Sequence, residues 1–150
     1  IGKIGVPDSI LRKPSKLTAE EWEIMKKHPI FGYNIIKGIP KLQNPGKIVL
    51  FHHERYDGKG YPFGKKGKEI PIEARIFSVA DSLDAMTSDR PYRKAFSYEY
   101  AYEEILRCSG TQFDPEIVDV FKSIPIERWK AISEDIQKNL SAEKDKITES

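Results

Sequence analysis

The stretch Pro71-Ile72-Glu73-Ala74-Arg75-Ile76-Phe77-Ser78-Val79-Ala80-Asp81-Ser82-Leu83-Asp84-Ala85-Met86 decides the fold class. Proline is favoured at the first position of a helix, where its missing N–H costs nothing. Behind it Ala74, Phe77, Val79, Ala80, Leu83 and Met86 recur at helical spacing and give a broad apolar face. The spacing predicts the longest helix of the chain. Asp81 and Asp84, one turn apart, interrupt that face. An ordinary core helix avoids such residues, because a buried carboxylate must be paired or bound to metal.

The same periodicity returns in both directions. Ser97 caps a helix running to about Cys108 and closing at Gly110, and Asp114 with Pro115 opens another through about Lys122. Trp129, Ile132, Ile136 and Leu140 mark a last helix, whose stripe is expected to cover the core, with a homodimer seam as the alternative. The charged run from Ser141 to Ser150 is expected to fray. Upstream, residues 55–68 hold Gly58, Gly60, Pro62, Gly64 and Gly67 and read as an irregular loop. Before it, Asn44 and Pro45 form a cap and first-turn pair for a buried helix that carries Ile48 to Phe51 and ends in His52, His53 and Glu54. Thr18 and Glu21 form a capping box for a helix with Leu17, Trp22, Ile24 and Met25 running to about His28. Pro29 interrupts it and opens a helix through Phe31, Ile35 and Ile36 to Gly38. Residues 1–16 read as loop with one short helical turn. No strand or internal repeat is visible, so helices must bury their stripes against one another. The fold class is all-α, a helical bundle.

One domain suffices for 150 residues, and 39% apolar against 32% charged residues lies in the globular range. The net charge of +2 is spread along the chain, so no basic stripe fits a long nucleic acid, whereas a small anionic ligand fits. The single cysteine, Cys108, has no internal disulfide partner, which points to the cytoplasm. Neither an apolar run long enough to span a membrane nor a signal peptide is visible, so no membrane contact is expected from this segment. The chain opens on Ile1 rather than Met and is expected to be a piece of a longer protein.

A lone histidine is usually a surface residue or a satisfied polar contact. His52 and His53 are adjacent, and neighbours in sequence cannot both face one apolar core. Imidazole suits zinc, iron and manganese, and Asp81 offers a hard carboxylate beside it. On a helix the pair would diverge by about 100°, which favours two neighbouring ions over one. For Asp81, ligation competes with a buried ion pair. Asp84 either orients a nucleophilic water or accepts hydrogen bonds from loop amides.

The run His52-His53-Glu54-Arg55-Tyr56-Asp57-Gly58-Lys59-Gly60-Tyr61-Pro62 resembles the signature of the HD-GYP phosphodiesterases, bacterial cyclic di-GMP hydrolases of the HD superfamily. The likeness continues through Ile70-Pro71, Ala74 to Ile76, Val79 to Asp81, Asp84 to Arg93 and Gly110 to Pro115, and covers about Ile1 to Phe121. It implies metal ligation by His28, which stands in a matching His-Pro pair, and by His52, His53 and Asp81. It makes Gly60, Tyr61 and Pro62 the loop that shapes the substrate side. Arg90 and Arg93 would recognise phosphate or guanine, tasks that suit guanidinium forks. Lys3 would neutralise charge on the scissile phosphate. The implied activity is hydrolysis of cyclic di-GMP to the linear dinucleotide and then GMP. Two or three divalent ions, iron or manganese, would activate water, assisted by Asp84.

Of the family's first motif only Ile1-Gly2-Lys3 is present, and its His and Asp would immediately precede Ile1. Residues 1–122 are then a phosphohydrolase domain lacking its N-terminal helices, and residues 123–150 are a C-terminal helix and charged tail of the same domain. The natural protein is expected to be active and this piece alone impaired in metal retention. An upstream regulatory domain is the partner the resemblance implies. One alternative is a degenerate module that binds cyclic di-GMP or a protein without hydrolysis, against which the retained histidines and Asp81 argue. Another is a phosphohydrolase for other nucleotides, against which the Gly60-Tyr61-Pro62 loop and the Asp89 to Arg93 segment argue.

Overall fold

Local caps start several helices where the sequence places them, and packing settles the remaining boundaries. The structure is a computed structural model describing residues 1–89 and 93–148, the side chains of 137 and 140–148 excepted. Among them are eight α-helices and no strand: α1 (Asp8–Leu11), α2 (Ala19–Met25), α3 (His28–Ile36), α4 (Gln43–Phe51), α5 (Ile72–Thr87), α6 (Tyr98–Arg107), α7 (Pro115–Ser123) and α8 (Ile126–Thr148). Tighter 3-10 turns occupy Gly2–Gly5, Pro40–Leu42 and Gly67–Glu69.

The capping box before α2 is complete, with the Thr18 hydroxyl accepting from the Glu21 amide at 3.3 Å and the Glu21 carboxylate accepting from the Thr18 amide at 2.7 Å. Ser97 accepts from the Tyr100 amide at 3.1 Å before α6, and Asp114 from the Glu116 amide at 2.9 Å before α7. Asn44 is not a cap. α4 begins at Gln43 with Leu42 as its N-cap, because the turn at Pro40–Leu42 already points the chain into the helix. Nor is α4 buried: of its residues only Gly46 is, and the apolar residues ahead of the histidine pair are half-buried. The N-terminal segment holds two short turns rather than one, and α8 continues to Thr148 through the run expected to fray, so that at 23 residues it, and not the 16-residue α5, is the longest helix among the described residues. Alanine, glutamate and lysine in that run are strong helix formers.

The main core gathers Val79 and Leu83 of α5, Ala101 and Ile105 of α6, Phe113, and Val118 and Phe121 of α7. Trp129 of α8 closes it by stacking on Phe121 at 5.2 Å between ring centroids. Ile132 and Ile136 are 38% and 54% exposed, so of this stripe it is Trp129 that packs on the core; the Leu140 side chain is outside the described residues. A second cluster joins the N-terminal segment to α3. Gly2 is buried there, and a Cβ on it would run into the His28 carbonyl and within 2.6 Å of the Gly32 amide.

The face of α5 that enters the core is narrower than the spacing suggests. Ala74, Val79 and Leu83 are buried, whereas Phe77, Ala80, Asp81 and Asp84 are exposed. Asp81 therefore does not interrupt a buried stripe. It stands on the open side of α5, where a carboxylate stays hydrated and the desolvation argument for a partner does not apply.

Candidate metal centre

α4 runs out at Phe51, His52 is its C-cap and His53 lies in the following turn. His28 is the first residue of α3 and is buried at 6% exposure. The ring N–H of His28 donates from Nδ1 to the Met25 carbonyl at 2.7 Å, and that of His52 to the Val49 carbonyl at 2.9 Å. A carbonyl can only accept, so both protons sit on Nδ1 and both Nε2 lone pairs are left for a ligand. His28, His52 and His53 together offer ligand atoms that all lie within 4.8 Å of one another.

The divergence expected of adjacent histidines is absent: the His52 and His53 ring centroids are 4.0 Å apart and tilted by 37°. The rule of 100° per residue holds inside a helix, and this pair straddles the helix end. Asp81 faces the cluster without joining it, and its negative charge favours protonation of His52.

Burial outweighs that attraction. Desolvation is the largest influence on each of the three imidazoles and lowers its pKa, and for His53, with His52, His28 and Lys3 adding repulsion, the value falls to about 3. The cluster is thus neutral near pH 7, the protonation state a divalent ion requires. The unfolded chain takes up these protons as pH falls below about 6.5 while the folded chain does not, so acid favours unfolding. In chelator, the melting temperature is expected to drop steadily from pH 6.5 towards pH 4. His53→Gln should flatten that slope, and an equally steep slope in the variant would contradict it.

The loop after the pair is tied to it. Glu54, buried at 4% exposure, accepts from the Phe63 amide at 2.8 Å and the Lys65 amide at 3.0 Å. The Tyr61 amide donates to the His53 carbonyl at 3.1 Å, and the Tyr61 ring stacks on His53 at 4.7 Å. Burial pushes the Tyr61 phenol up to about 12, so it stays protonated. Gly60 lies flat on the histidine turn, where a Cβ would come within 2.5 Å of both the Glu54 Cα and the His53 carbonyl oxygen. Sequence reasoning missed Glu54. An acid next to a glycine-rich loop full of free amides was the available signal.

Two cavities meet at the histidines and share His52, His53 and Asp81. The larger, about 570 Å³, adds Lys3, His28, Phe77, Ile48 and Val49, while the smaller, about 200 Å³, adds Arg55, Tyr61, Ser78, Ser82 and Gln112. Lys3 thus lines the same cavity as His28, His52 and His53. Asp84 does not reach either cavity. It lines a groove between α5 and α8 with Trp129 and Ile132 and accepts from the Ser88 hydroxyl at 3.2 Å, since three residues of helix turn it about 60° away from Asp81. Arg93 lines neither cavity: it donates to the Ala85 carbonyl at 2.6 Å and lies 4.2 Å from the centre of the Phe96 ring. Arg90 lies outside the described residues.

An all-helical domain that converges neutral imidazoles at the end of one helix and the start of another, beside an aspartate, defines a class of metal-binding helical domains. The chain belongs to the HD domain family, whose model matches residues 1–117. It is 52% identical over 123 residues to a cyclic di-GMP phosphodiesterase of Thermotoga maritima, covering 81% of this chain and 33% of that protein. It is 48% identical over 121 residues to the cyclic di-GMP phosphodiesterase response regulator RpfG of Xanthomonas campestris, covering 79% of this chain and 32% of that one. The fold resembles the crystal structure of a cyclic GMP-AMP specific phosphodiesterase of V. cholerae, with a TM-score of 0.56 at 19% identity over 87% of this chain and 33% of that chain. The chain spans about a third of the length of these two relatives.

Proposed function

We propose that this chain is the metal-dependent phosphodiesterase unit of a bacterial signalling protein and that it opens cyclic di-GMP to the linear dinucleotide and then to GMP. The observation that carries the reading is the group of three imidazoles, neutral at physiological pH, with ligand atoms within 4.8 Å of one another. Divalent ions held by His28, His52, His53 and Asp81, two or three in number and iron or manganese by the resemblance, would supply Lewis-acid polarisation of a phosphoryl oxygen and a lowered pKa for water. The chain's own residues set the stage for that chemistry. The Met25 and Val49 carbonyls fix the orientation of His28 and His52. Lys3 offsets phosphate charge, and Gly60, Tyr61 and Pro62 wall the substrate side through the Tyr61 stack on His53. A phosphate or guanine contact by Arg90 rests on the resemblance alone.

The relatives' names support the substrate, and their greater length supports an attached regulatory domain. Among the described residues no helix is long and apolar enough to cross a membrane. The test is to load the protein with Mn²⁺ or Fe²⁺, incubate it with cyclic di-GMP and resolve the products by chromatography. Linear dinucleotide is expected from the natural protein, in which His52→Ala and His53→Ala should each lower bound metal by at least about tenfold. Wild-type metal content in both variants would overturn the reading, and cyclic di-GMP bound without turnover would replace it by the binding-module alternative.

A further inference from the structure

The smaller cavity has a chemistry the metal centre does not use. Arg55 stands at its wall with its guanidinium already committed: Nε and Nη2 donate to the two Asp57 carboxylate oxygens at 3.1 and 2.9 Å, and Nη1 donates to the Gln112 side-chain oxygen at 3.2 Å. The backbone holds the same pair of segments together, with the Tyr56 amide donating to the Gln112 carbonyl at 3.1 Å and the Asp57 amide to the Thr111 carbonyl at 2.8 Å. Gln112 is therefore fixed in one orientation. Its side-chain oxygen is turned to Arg55, its NH₂ group has no hydrogen-bond partner among the described residues, and the residue lines the cavity. A free glutamine presents either a donor or an acceptor by rotating its amide, but one whose oxygen is held by a guanidinium presents only donors.

A cavity of about 200 Å³ begins at His52, His53 and Asp81, so a base attached to a phosphate resting at the histidines has this space beside it. Guanine offers the O6 and N7 acceptors on one edge, whereas adenine places an amino donor where guanine has O6. A Gln112 NH₂ group held in this orientation favours the first and meets the second with donor against donor. We propose that this cavity receives one base of the cyclic dinucleotide and that the Gln112 NH₂ group, oriented by Arg55, selects guanine by donating to O6. The inference rests on the cyclic dinucleotide reading above, and goes beyond it by assigning base selectivity to a residue outside the metal centre.

The test is titration calorimetry on the Mn²⁺-loaded full chain with the phosphorothioate analogues of cyclic di-GMP and cyclic di-AMP, which resist hydrolysis. Wild type is expected to prefer the guanine compound. Gln112→Glu turns the donor into an acceptor and should lower that preference by about tenfold, the worth of one hydrogen bond exchanged for a mismatch. Gln112→Ala should weaken the preference without inverting it, and decides the matter if the glutamate variant does not fold. A residue that only braced Arg55 would weaken both ligands alike, so an unchanged affinity ratio in folded variants overturns this inference and leaves the phosphodiesterase reading standing. Wild type that retains Mn²⁺ and binds neither analogue overturns both.

Discussion

Gly60→Ala is expected to dismantle the metal centre without touching a ligand. The added methyl would lie 2.5 Å from the His53 carbonyl oxygen and from the Glu54 Cα, and closer still to the Arg55 amide. All three obstacles are backbone, so no side chain can swing aside. The loop must lift off the histidine turn, which breaks the 3.1 Å hydrogen bond from the Tyr61 amide to His53 and unstacks Tyr61. Overpacking of this kind costs about 1–3 kcal/mol, and a rigid backbone neighbour puts it at the upper end. Bound metal should fall together with the melting temperature. Gly38→Ala is the control, because nothing lies within 4 Å of a Cβ there and its φ is not positive. Retention of full metal content by Gly60→Ala would refute the proposed fit of loop to turn.

Asp114→Ala should produce the largest loss of stability. Asp114 is 1% exposed, ion-paired with Arg75 and capping α7 through the Glu116 amide at 2.9 Å. Removing the carboxylate leaves the Arg75 guanidinium, itself tethered to the Ile70 carbonyl at 2.9 Å, with an uncompensated charge. Breaking a buried pair from one side costs about 3–5 kcal/mol, a large part of the roughly 5–15 kcal/mol that holds a domain together. Asp114→Asn keeps a good cap and loses only the charge, so it should be the milder variant. Urea unfolding measures both. A midpoint shift in Asp114→Ala worth less than about 1 kcal/mol would mean that the pair is more hydrated than its burial indicates.

These two positions show where local reading stops. Asp114 is visible in the sequence as a cap because a cap is an interaction between neighbours, but its partner Arg75 sits on α5, far away along the chain. Gly60 is visible as a loop glycine, yet the reason for it is the histidine turn against which it lies. His28 entered through resemblance only, since no spacing links it to His52. The two acids of α5 stand one turn apart in the sequence, and about 60° of helix rotation sends Asp81 to the cavities at the histidines and Asp84 to the groove beside α8.

What the sequence by itself determined is the all-helical class, the caps at Thr18, Ser97 and Asp114, the glycine-rich loop and the importance of the adjacent histidines, all of which rest on interactions within a few residues. Only the tertiary structure decided that the histidine pair converges instead of diverging, that Asp81 is open to solvent, that Glu54 accepts from the Phe63 and Lys65 amides and that Gln112 meets Arg55. Each of those depends on where a helix ends or which distant segment it meets, and burial and convergence are properties of the packed chain that no local pattern encodes.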